Sequence, residues 1–516
     1  GKMADLFTLD AVADVAGGSS GSRLGTSLDT GVLRRKYDFG ERVSELAIAQ
    51  DPFFRFVSKL AKKPTDDPEF KFTERRPSFH KRYAYATAFS NDNTTYVENQ
   101  STNATTQYDK YETAGNTVYV KLATDYTKSG NRQNVYGQSG QEIVIGADGT
   151  QPQFYMPDQM LKINFSDAAA GAVKSYAIVS VDTVTLQDES TSPPTAHTHG
   201  EAAIIRGTVV KTKTAGDDYY AGPLGVNTPV GDSTFSTSIA GSTSSNGLEQ
   251  SRVYVIGNSH SQGSGFPETW KDQPFSTAFG RTQIWKTAMA MDNTTRATVL
   301  KYEPNEYARI WREKLIEHKY DIEQAILFGS QYDSGDEWYT QGAVDFISNY
   351  GNVFSLTHAS KTQDDFLDDL SNFLDPRYNN ANATLFFVDT QTYNWLHKLS
   401  GYFSNNLEIS PNLRADMALV GRKKVFGADV TTISTPFGDM NVTRNIHLDG
   451  SPIKILAVNM KHVAYRPLVG NGLNRDTAIY VGVQTLENSG VDRRVDLIQT
   501  EAGMEFQMPE SHAYWS

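Results

Sequence analysis

The sequence predicts an α+β protein whose mixed body of helices and strands is interrupted by a β-rich segment. Three observations lead to this prediction. The chain has 516 residues, more than one ordinary compact domain holds, so two or more domains are expected. One long amphipathic helical pattern occupies residues 304–328. Short β-like runs separated by turn residues fill residues 91–271, whereas helical and extended patterns alternate after them.

The composition excludes several classes of protein. Hydrophobic residues make up 39% of the chain and aromatic residues 11%, which is enough for packed cores. There is no cysteine, which excludes disulfides, zinc–thiolate sites and cysteine nucleophiles. The net charge of -12 disfavours a simple nucleic-acid-binding protein. No run reaches the roughly 20 apolar residues that span a bilayer, and the first residues lack the basic-then-apolar order of a secretory signal.

The N-terminal region combines a polar arm with a basic segment. Residues 13–30 are rich in Gly, Ser and Thr and predict a flexible arm, but they lack the ending of a phosphate loop. Helical spacing is interrupted at Pro52, and residues 70–89 alternate as in an extended strand. Between Arg55 and Arg82, nine Lys or Arg face four acidic residues. Two interpretations stay open: a solvated surface of mixed charge, or an arm that docks on an acidic neighbour.

The β-rich middle predicts a β-barrel or a β-sandwich. Turn-forming stretches such as GADGT and STSPPT separate its β-like runs. The runs are NTVYVKLA, QEIVIGADGT, SYAIVSVDTVTL, AAIIRGTVVKT and SRVYVIGN. Short strands joined by turns are typical of both architectures.

The helix predicted over residues 304–328 has an apolar face along its whole length. Pro304 suits its first turn, and Glu306 suits the positive N-terminal end of a helix. At 1.5 Å per residue the helix would be roughly 37 Å long. The residues of the face recur every three or four positions: Tyr307, Trp311, Leu315, His318, Ile322, Ala325, Ile326 and Gly329.

The other surface of this helix is charged. Arg309 with Glu313, and Lys319 with Glu323, are spaced as ion pairs four residues apart. His318 lies in the apolar face, where we expect a hydrogen-bonded core or interface histidine and not a metal ligand.

The remaining third of the chain alternates helices and strands. DDFLDDLSNFLDP predicts a second amphipathic helix that Pro376 ends, ATLFFVDTQ a buried strand, and TYNWLHKLSG a short helix ending at Gly401. Residues 425–468 predict strands. The last region, from AIYVGVQTLE to EAGMEFQMPESHAYWS, also alternates, so the C-terminus is expected in a sheet.

The order of several segments resembles a known family. A basic arm with DPFF is followed by RTQIWKTAMAM, a long helix ending in DIEQAILFGS, the pair FGADVTTISTPFGDMNVTRN and the terminal strand EAGMEFQMPESHA. This series resembles the major capsid proteins of tailed bacteriophages, which share the Hong Kong 97 fold. The similarity covers roughly residues 40–90 and 275–516 and depends on order and spacing more than on any one motif.

The resemblance implies five structural parts. In that fold the long helix is the spine of a peripheral domain and packs on a sheet formed partly by the last strands. The parts would be an N-terminal arm (1–60), an extended-loop hairpin (61–90 and 272–300), a β-rich insertion domain (91–271), a peripheral domain with spine helix 304–328 (301–379 and 451–516) and an axial domain (380–450).

The resemblance also implies a function. The chain would be a non-enzymatic structural subunit that self-assembles into pentamers and hexamers of an icosahedral shell around double-stranded DNA. A negative net charge suits a container in which the packaged DNA slides and does not stick to the wall, so no sequence-specific DNA binding is expected. Scaffolding, portal and decoration proteins are further implied partners, and neither a membrane nor a cofactor is expected. The implied location is the virion capsid, assembled in the host cytoplasm.

The charged segments supply a hypothesis for contacts between subunits. A shell of identical chains needs adhesive loops and arms, and the basic segment would pair with acidic residues of the spine helix on an adjacent copy. The residues are Lys62, Lys63, Arg75 and Arg76 on one side and Glu303, Glu306, Glu317 and Asp321 on the other.

Reactive chemistry has little support in the sequence. The best metal-like cluster is AHTHGE, where His197, His199 and Glu201 follow a turn and no third histidine has matching spacing. Carboxylate pairs in TDDPE and QDDFLDD suit turns and helix caps, and no Gly-x-Ser-x-Gly elbow occurs. Some relatives cross-link a lysine to an asparagine, but no matching asparagine is identified here. We therefore predict no catalytic residue, no cofactor site and no metal site beyond this weak candidate.

Two other classes of protein stay open. Tail tube and sheath subunits of virions also use β-rich modules. A carbohydrate-binding or hydrolytic β-protein is favoured by the tyrosines of the middle segment. These are Tyr96, Tyr108, Tyr111, Tyr119, Tyr219 and Tyr220.

Overall fold

A computed structural model describes the parts of the chain that follow Gln50, with several gaps. The described residues are 50–75, 83–94, 109–123, 154–166, 173–188, 201–212, 252–269, 276–299, 305–374, 376, 379, 384–406, 418–425 and 428–516.

Helices and strands alternate along the described residues. The helices are α1 (Pro52–Leu60), α2 (Asn293–Ala297), α3 (Glu306–Phe328), α4 (Ala343–Tyr350), α5 (Gln363–Phe373), α6 (Thr390–Asn406) and α7 (Leu486–Ser489). The first nine strands are β1 (Glu69–Glu74), β2 (Tyr83–Ser90), β3 (Thr117–Ala123), β4 (Met160–Ser166), β5 (Val173–Asp188), β6 (Glu201–Thr212), β7 (Arg252–Val255), β8 (Ser276–Arg281) and β9 (Gln283–Asp292).

The other strands follow the long helix. They are β10 (Tyr332–Ser334), β11 (Glu337–Tyr339), β12 (Asn352–Phe354), β13 (Thr384–Val388), β14 (Ala418–Val425), β15 (Ala428–Thr435), β16 (Gly438–Arg444), β17 (Ile455–Asn459), β18 (Val463–Pro467), β19 (Val469–Gly470), β20 (Leu473–Asn474), β21 (Ala478–Gln484), β22 (Arg493–Phe506) and β23 (Ala513–Trp515).

The long helix α3 is present nearly as predicted. It begins at Glu306, where the side chain of Asn305 accepts a hydrogen bond from the backbone N–H of Ala308 (3.2 Å), and its last residue is Phe328. The predicted ion pair of Arg309 with Glu313 is present at 2.9 Å. The predicted surface position of Glu323 is wrong, because this side chain is completely buried.

The two later helices confirm one prediction and correct another. α5 buries Phe366 and Phe373, and Thr362 begins it with a capping box. α6 does not end at Gly401 but continues to Asn406. A glycine inside a helix costs only about 1 kcal/mol, which does not end a helix whose earlier turns are packed through residues such as the buried Leu396.

A seven-stranded sheet lies at the centre of the part of the molecule that we call the body. Its strand order is β12-β23-β17-β13-β16-β15-β14. Phe386 packs with α5 in one core, and the next residue, Phe387, packs with α1 and α3 in the other, because side chains alternate along a strand. The sequence assigned β17 and β23 to the peripheral part. In the structure they lie in the same sheet as β13 to β16, and all five residues of β17 are buried beside β13.

A four-stranded sheet completes the body. The long strand β22 pairs with β9 along one edge and with β21 and then β18 along the other. α3 crosses this sheet through His318, whose ring contacts Thr287 of β9 and Thr500 of β22. The prediction that the chain ends in sheet strands is therefore confirmed.

A two-stranded antiparallel ribbon is formed by β1 and β8, from Glu69 opposite Arg281 to Glu74 opposite Ser276. The prediction of one extended strand over residues 70–89 is wrong, since β1 ends at Glu74 and β2 belongs to a different sheet. β9, which the sequence assigned to the same hairpin, pairs with β22 of the body instead. β2 leaves the ribbon because its residues Ala84, Ala86 and Phe89 are buried in another core.

A closed six-stranded barrel is formed in the order β2-β3-β6-β5-β4-β7. The sequence left barrel and sandwich open, and the structure selects the barrel, which has no unpaired sheet edge. Its core holds residues such as Val120, Leu161 and Val179. The strand β4 was not predicted, and the predicted run QEIVIGADGT lies outside the described residues.

Candidate functional site

The end of the ribbon next to the body is held by one aromatic side chain. Phe70 is 2% exposed, and a Cβ on Gly280 or on Gly503 would lie 2.3 or 2.7 Å from its ring atoms. The guanidinium of Arg466 lies over the ring, 5.0 Å from its centroid. Only glycine fits beside this ring, so ribbon and body are packed against each other without space.

Charged side chains add a second connection at this end of the ribbon. Arg281 of β8 pairs with Glu69 across the ribbon at 3.3 Å and with Asp333 of β10 at 3.0 Å. Its guanidinium also lies 5.1 Å from the ring centroid of Trp338. One arginine thus joins both strands of the ribbon to the β10–β11 hairpin, although partly exposed pairs of this kind contribute modestly.

The basic segment that follows α1 is bound to the body of its own chain. Its backbone lies parallel to β18, with the N–H of Lys63 donating to Tyr465 O (2.8 Å) and that of Thr65 donating to Pro467 O (2.9 Å). The Lys62 ammonium pairs with Asp476. The side chain of Lys63 is exposed.

The predicted acidic partners lie on the outer surface of α3. Glu306 accepts a hydrogen bond from Arg309 (2.6 Å), and Glu317 pairs with Lys314 (2.8 Å). Asp321 is also on the exposed surface. The pKa of its carboxyl group is raised by partial desolvation and by the negative charge of Glu317. These acids therefore lie on one helix surface. Arg75 is exposed at the end of β1, and the positions outside the described residues are Arg76 and Glu303.

The start of α1 is held by a buried carboxylate of α3 that the sequence analysis missed. Glu323 accepts hydrogen bonds from the backbone N–H groups of Phe53 (3.2 Å) and Phe54 (2.6 Å) and from Asn445 Nδ2 (3.0 Å). Burial raises the pKa of Glu323 to about 7; the hydrogen bonds oppose this, and Asp51 adds to it. The sequence gives no signal for this role, because Asp51 before Pro52 has the pattern of an N-cap. Only the structure shows that Asp51 does not cap α1, which leaves its first N–H groups in need of an acceptor.

Gln50, two positions before α1, is bound at the same place. The N–H of Gln50 donates to the Tyr320 hydroxyl (2.9 Å), and the ring Nε2 of His447 donates to Gln50 O (2.7 Å). The other ring nitrogen of His447 contacts Gln324 Nε2 at 2.9 Å. The described chain thus begins at a junction of α1, α3 and the segment after β16.

The prediction for His318 is confirmed. The ring is completely buried, and its Nδ1 and Nε2 lie 3.0 and 2.7 Å from the hydroxyls of Thr287 and Thr500. Burial lowers the pKa of His318, which favours the neutral ring. It joins α3 to the four-stranded sheet.

The candidate metal cluster and the tyrosines considered for sugar binding are only partly within the described residues. His197 and His199 lie outside the described residues, and Glu201 begins β6. No group of three or more potential metal ligands occurs among the residues that the structure describes. Tyr111 is buried in the barrel core and donates to Tyr119 O (2.6 Å), which is a packing role. In the same parts of the chain, no helix is both long and apolar enough to cross a membrane.

The contacts described above join the body, the ribbon and α1 within one chain by packing and hydrogen bonds. The sequence matches the model of the SU10 major capsid protein family over residues 38–515, so the chain belongs to that family and is a structural subunit of a capsid. This confirms the resemblance to phage capsid proteins and favours a capsid subunit over the tail-protein alternative. A comparison with curated proteins gives no match.

Solved structures similar to the chain include phage proteins. One from Gordonia phage Cozz is 11% identical, with a TM-score of 0.33 over 50% of this chain and 76% of that one. One from Microbacterium phage Oxtober96 is 12% identical, with a TM-score of 0.34 over 50% and 80%. The capsid structure of the cyanophage P-SCSP1u is 11% identical, with a TM-score of 0.32 over 50% and 79%. The family assignment rests on the sequence match and not on these scores.

Proposed function

We propose that this capsid subunit has a Hong Kong 97-like fold and forms the pentamers and hexamers of an icosahedral shell around double-stranded DNA. The observation that carries the proposal is the ribbon of β1 and β8. It joins the barrel to a body with a long helix, and Phe70 and Arg281 hold its end on that body. A subunit with a firmly held projection can contact copies beyond its immediate neighbour, as a closed shell of identical chains requires.

The parts of the molecule take corresponding roles in this proposal. α3 and the four-stranded sheet form the peripheral domain, and the seven-stranded sheet forms most of the axial domain around the five-fold and six-fold centres. The ribbon is the extended loop, and the barrel is an insertion domain that lies on or between the capsomers. The described barrel core shares no residue with the body cores, which supports its assignment as a separate domain.

Contacts between subunits use opposite charges in this proposal. Lys63, before the ribbon, and Arg75, which follows β1, are exposed, and Glu317 and Asp321 are exposed on α3. Such pairs would be weakened by salt, because exposed ion pairs are screened. The net charge of -12 favours packaged DNA that moves without sticking to the wall.

The remaining parts of the proposal concern partners and place. Assembly would occur in the host cytoplasm with scaffolding and portal proteins, and decoration proteins would bind the finished shell. The subunit would act without a cofactor and without catalysis.

Negative-stain electron microscopy of the chain, expressed alone and with its neighbouring genes, tests the proposal. Closed polyhedral particles or five- and six-fold rings are the expected result. Tubes with the helical symmetry of a tail, or monomers under every condition, would contradict it.

Charge reversal tests the proposed contacts separately. The variant Lys63→Glu with Arg75→Glu should lower particle yield and make assembled particles dissociate at lower salt. The matched control is Lys110→Glu with Lys211→Glu, two exposed lysines of the barrel segment. Equal yield and equal salt tolerance in both variants would refute the role of Lys63 and Arg75.

A further inference from the structure

A groove of about 330 Å³ lies where α1 ends and the chain meets β18. One wall is formed by Leu60 to Lys63, and the other by the turn of Met460 to His462 with the first residues of β18. Glu505 and Gln507 complete the lining. Its lining includes Lys62, which pairs with Asp476, and Lys63, whose backbone N–H donates to Tyr465 O.

The groove carries positive charge, and the Glu74 carboxylate near His462 accepts a hydrogen bond from the Met508 N–H (2.8 Å). Glu505 does not neutralise it, because its carboxylate pairs with Arg466 (3.3 Å) and accepts from Gln507 Nε2 (3.1 Å). Lys63 and Lys461 have no acidic partner in the part of the chain that the structure describes. The groove is therefore suited to a ligand with negative charges.

The same groove has an apolar part. Leu60 is 56% exposed, although it ends a helix whose other large apolar side chains are buried. Met460, Val463 and Ala464 lie on the opposite wall. A ligand that fills this space should bring apolar side chains together with its carboxylates, as an acidic and apolar peptide segment does.

The chain contains such a segment near its start. Residues 4–15, ADLFTLDAVADV, carry three aspartates and no lysine or arginine, with Leu6, Phe7, Leu9, Val12 and Val15 between them. The other acidic and apolar stretch, QDDFLDDLSNFL, is unsuitable because its apolar side chains are buried under the seven-stranded sheet as α5.

The length of the chain allows residues 4–15 to reach the groove. Val15 and Gln50 are separated by enough residues to span on the order of 100 Å when extended. From Gln50 to the groove is only the length of α1, nine residues or about 13 Å. Residues 16–30 are rich in Gly and Ser, which suits a linker.

We propose that the groove between α1 and β18 is the docking site for residues 4–15 of the same chain. The aspartates lie against Lys63 and Lys461, and the apolar side chains cover Leu60 and Met460. An attachment within one chain has a high effective concentration and needs only weak affinity. Docking would store the first residues on the surface of the unassembled subunit.

Photo-cross-linking in the full-length, unassembled chain tests this site. Phe7 is replaced by p-benzoylphenylalanine, and the cross-linked peptides are identified by mass spectrometry. The expected products join position 7 to residues 60–63 or 460–464. An equal mixture of heavy and light isotope-labelled chains should give products of unmixed label. Products of mixed label would show docking on a second copy, and products elsewhere would show that the groove is not the site; either result overturns the proposal.

Charge variants make the test specific. Lys63→Glu with Lys461→Glu should lower the yield of this product about tenfold or more, and Asp10→Lys with Asp14→Lys in the same chain should restore it. The control Lys71→Glu with Lys286→Glu changes two exposed lysines of β1 and β9 and should leave the yield unchanged. An equal loss in the control, or no rescue, would refute the proposed pairing. The inference needs no shell, so its failure leaves the proposed function untouched.

Discussion

The barrel and the body both bury the apolar faces of their strands, but the barrel uses strands that are close in the sequence and the body pairs strands that are far apart. All six barrel strands come from residues 83–255, and they enclose one core of their own. The body joins distant residues: β12 pairs with β23, more than 150 positions later, and β13 pairs with both β16 and β17. The barrel should therefore fold as one local unit, whereas the body depends on its last residues.

The two cores of the body are also coupled to each other in a way that the barrel core is not. Phe386 and Phe387 are neighbours in β13 but face opposite cores, so movement of this strand disturbs both. None of the described residues of the barrel strands β2–β7 belongs to either body core. We expect the unassembled chain to unfold in two calorimetric transitions, one for each region, and the following variants test this comparison.

The largest effect is expected for Trp515→Ala in the body. The indole is completely buried, and its ring lies 4.9 Å from Phe354 and 5.7 Å from Phe366, centroid to centroid. Its removal leaves a large cavity and should cost about 3–5 kcal/mol. Calorimetry should show a lower body transition and an unchanged barrel transition. The control Trp338→Ala, on the exposed hairpin, should change far less; a shift of both transitions would show that the two regions are one unit.

The reciprocal variant is Leu161→Ala in the barrel. Leu161 of β4 is completely buried in the barrel core, so the truncation should cost about 2–5 kcal/mol. Only the barrel transition should move in the same calorimetric experiment. Val210→Ala, on a side chain that is 48% exposed in β6, is the matched control and should have little effect. A loss of the body transition would contradict the proposed independence.

The pH dependence of stability should belong to the body alone. Because burial raises the pKa of Glu323 from 4.5 to about 7, the folded state holds this proton more tightly than the unfolded state does. Its contribution is complete below pH 4.5 and is lost as the pH rises through 7, which corresponds to on the order of 3 kcal/mol. Buried His512, whose pKa burial lowers to about 3, has the opposite effect and adds stability as the pH rises to 6.5. The Glu323 component is therefore obtained as the difference between the wild type and Glu323→Gln in urea unfolding at each pH from 4.5 to 8.

Glu323→Gln should lack this falling component, because glutamine does not ionise. Glu317→Gln, an exposed residue of the same helix, is the control and should keep the slope. An unchanged slope in Glu323→Gln would assign the pH dependence to another group. A similar dependence of the barrel transition on pH would contradict the assignment of this effect to the body alone.

A smaller effect is expected where the two regions meet. In Gly280→Ala the new Cβ would lie 2.3 Å from the ring of Phe70, so the ribbon must shift, at about 1–3 kcal/mol. Hydrogen exchange should accelerate in β1 and β8 but not in the barrel core. Adding Phe70→Leu should partly restore protection, and Gly265→Ala, with open space around it, should change nothing. Fast exchange throughout the barrel would show that its stability depends on the ribbon.

Much of the fold was predictable from local patterns. The helix α3 was placed within two residues because its apolar period extends over 23 positions and its end is marked by Gly329. The choice between barrel and sandwich was not predictable, since alternation shows that a strand has an apolar face but does not say which strands close the sheet. For the same reason the pattern of β2 predicts a strand but not its place in the barrel, and the hairpin predicted for it is wrong.

The sequence by itself determined the family, the long helix, the β-rich middle and the sheet-forming C-terminus, because all of these depend on neighbouring residues or on their order. Only the tertiary structure decided that Glu323 is buried, that Gly280 and Gly503 make room for Phe70, and that the last strands divide between two sheets. The physical reason is that a local pattern specifies which face must be covered, whereas the covering group comes from residues hundreds of positions away.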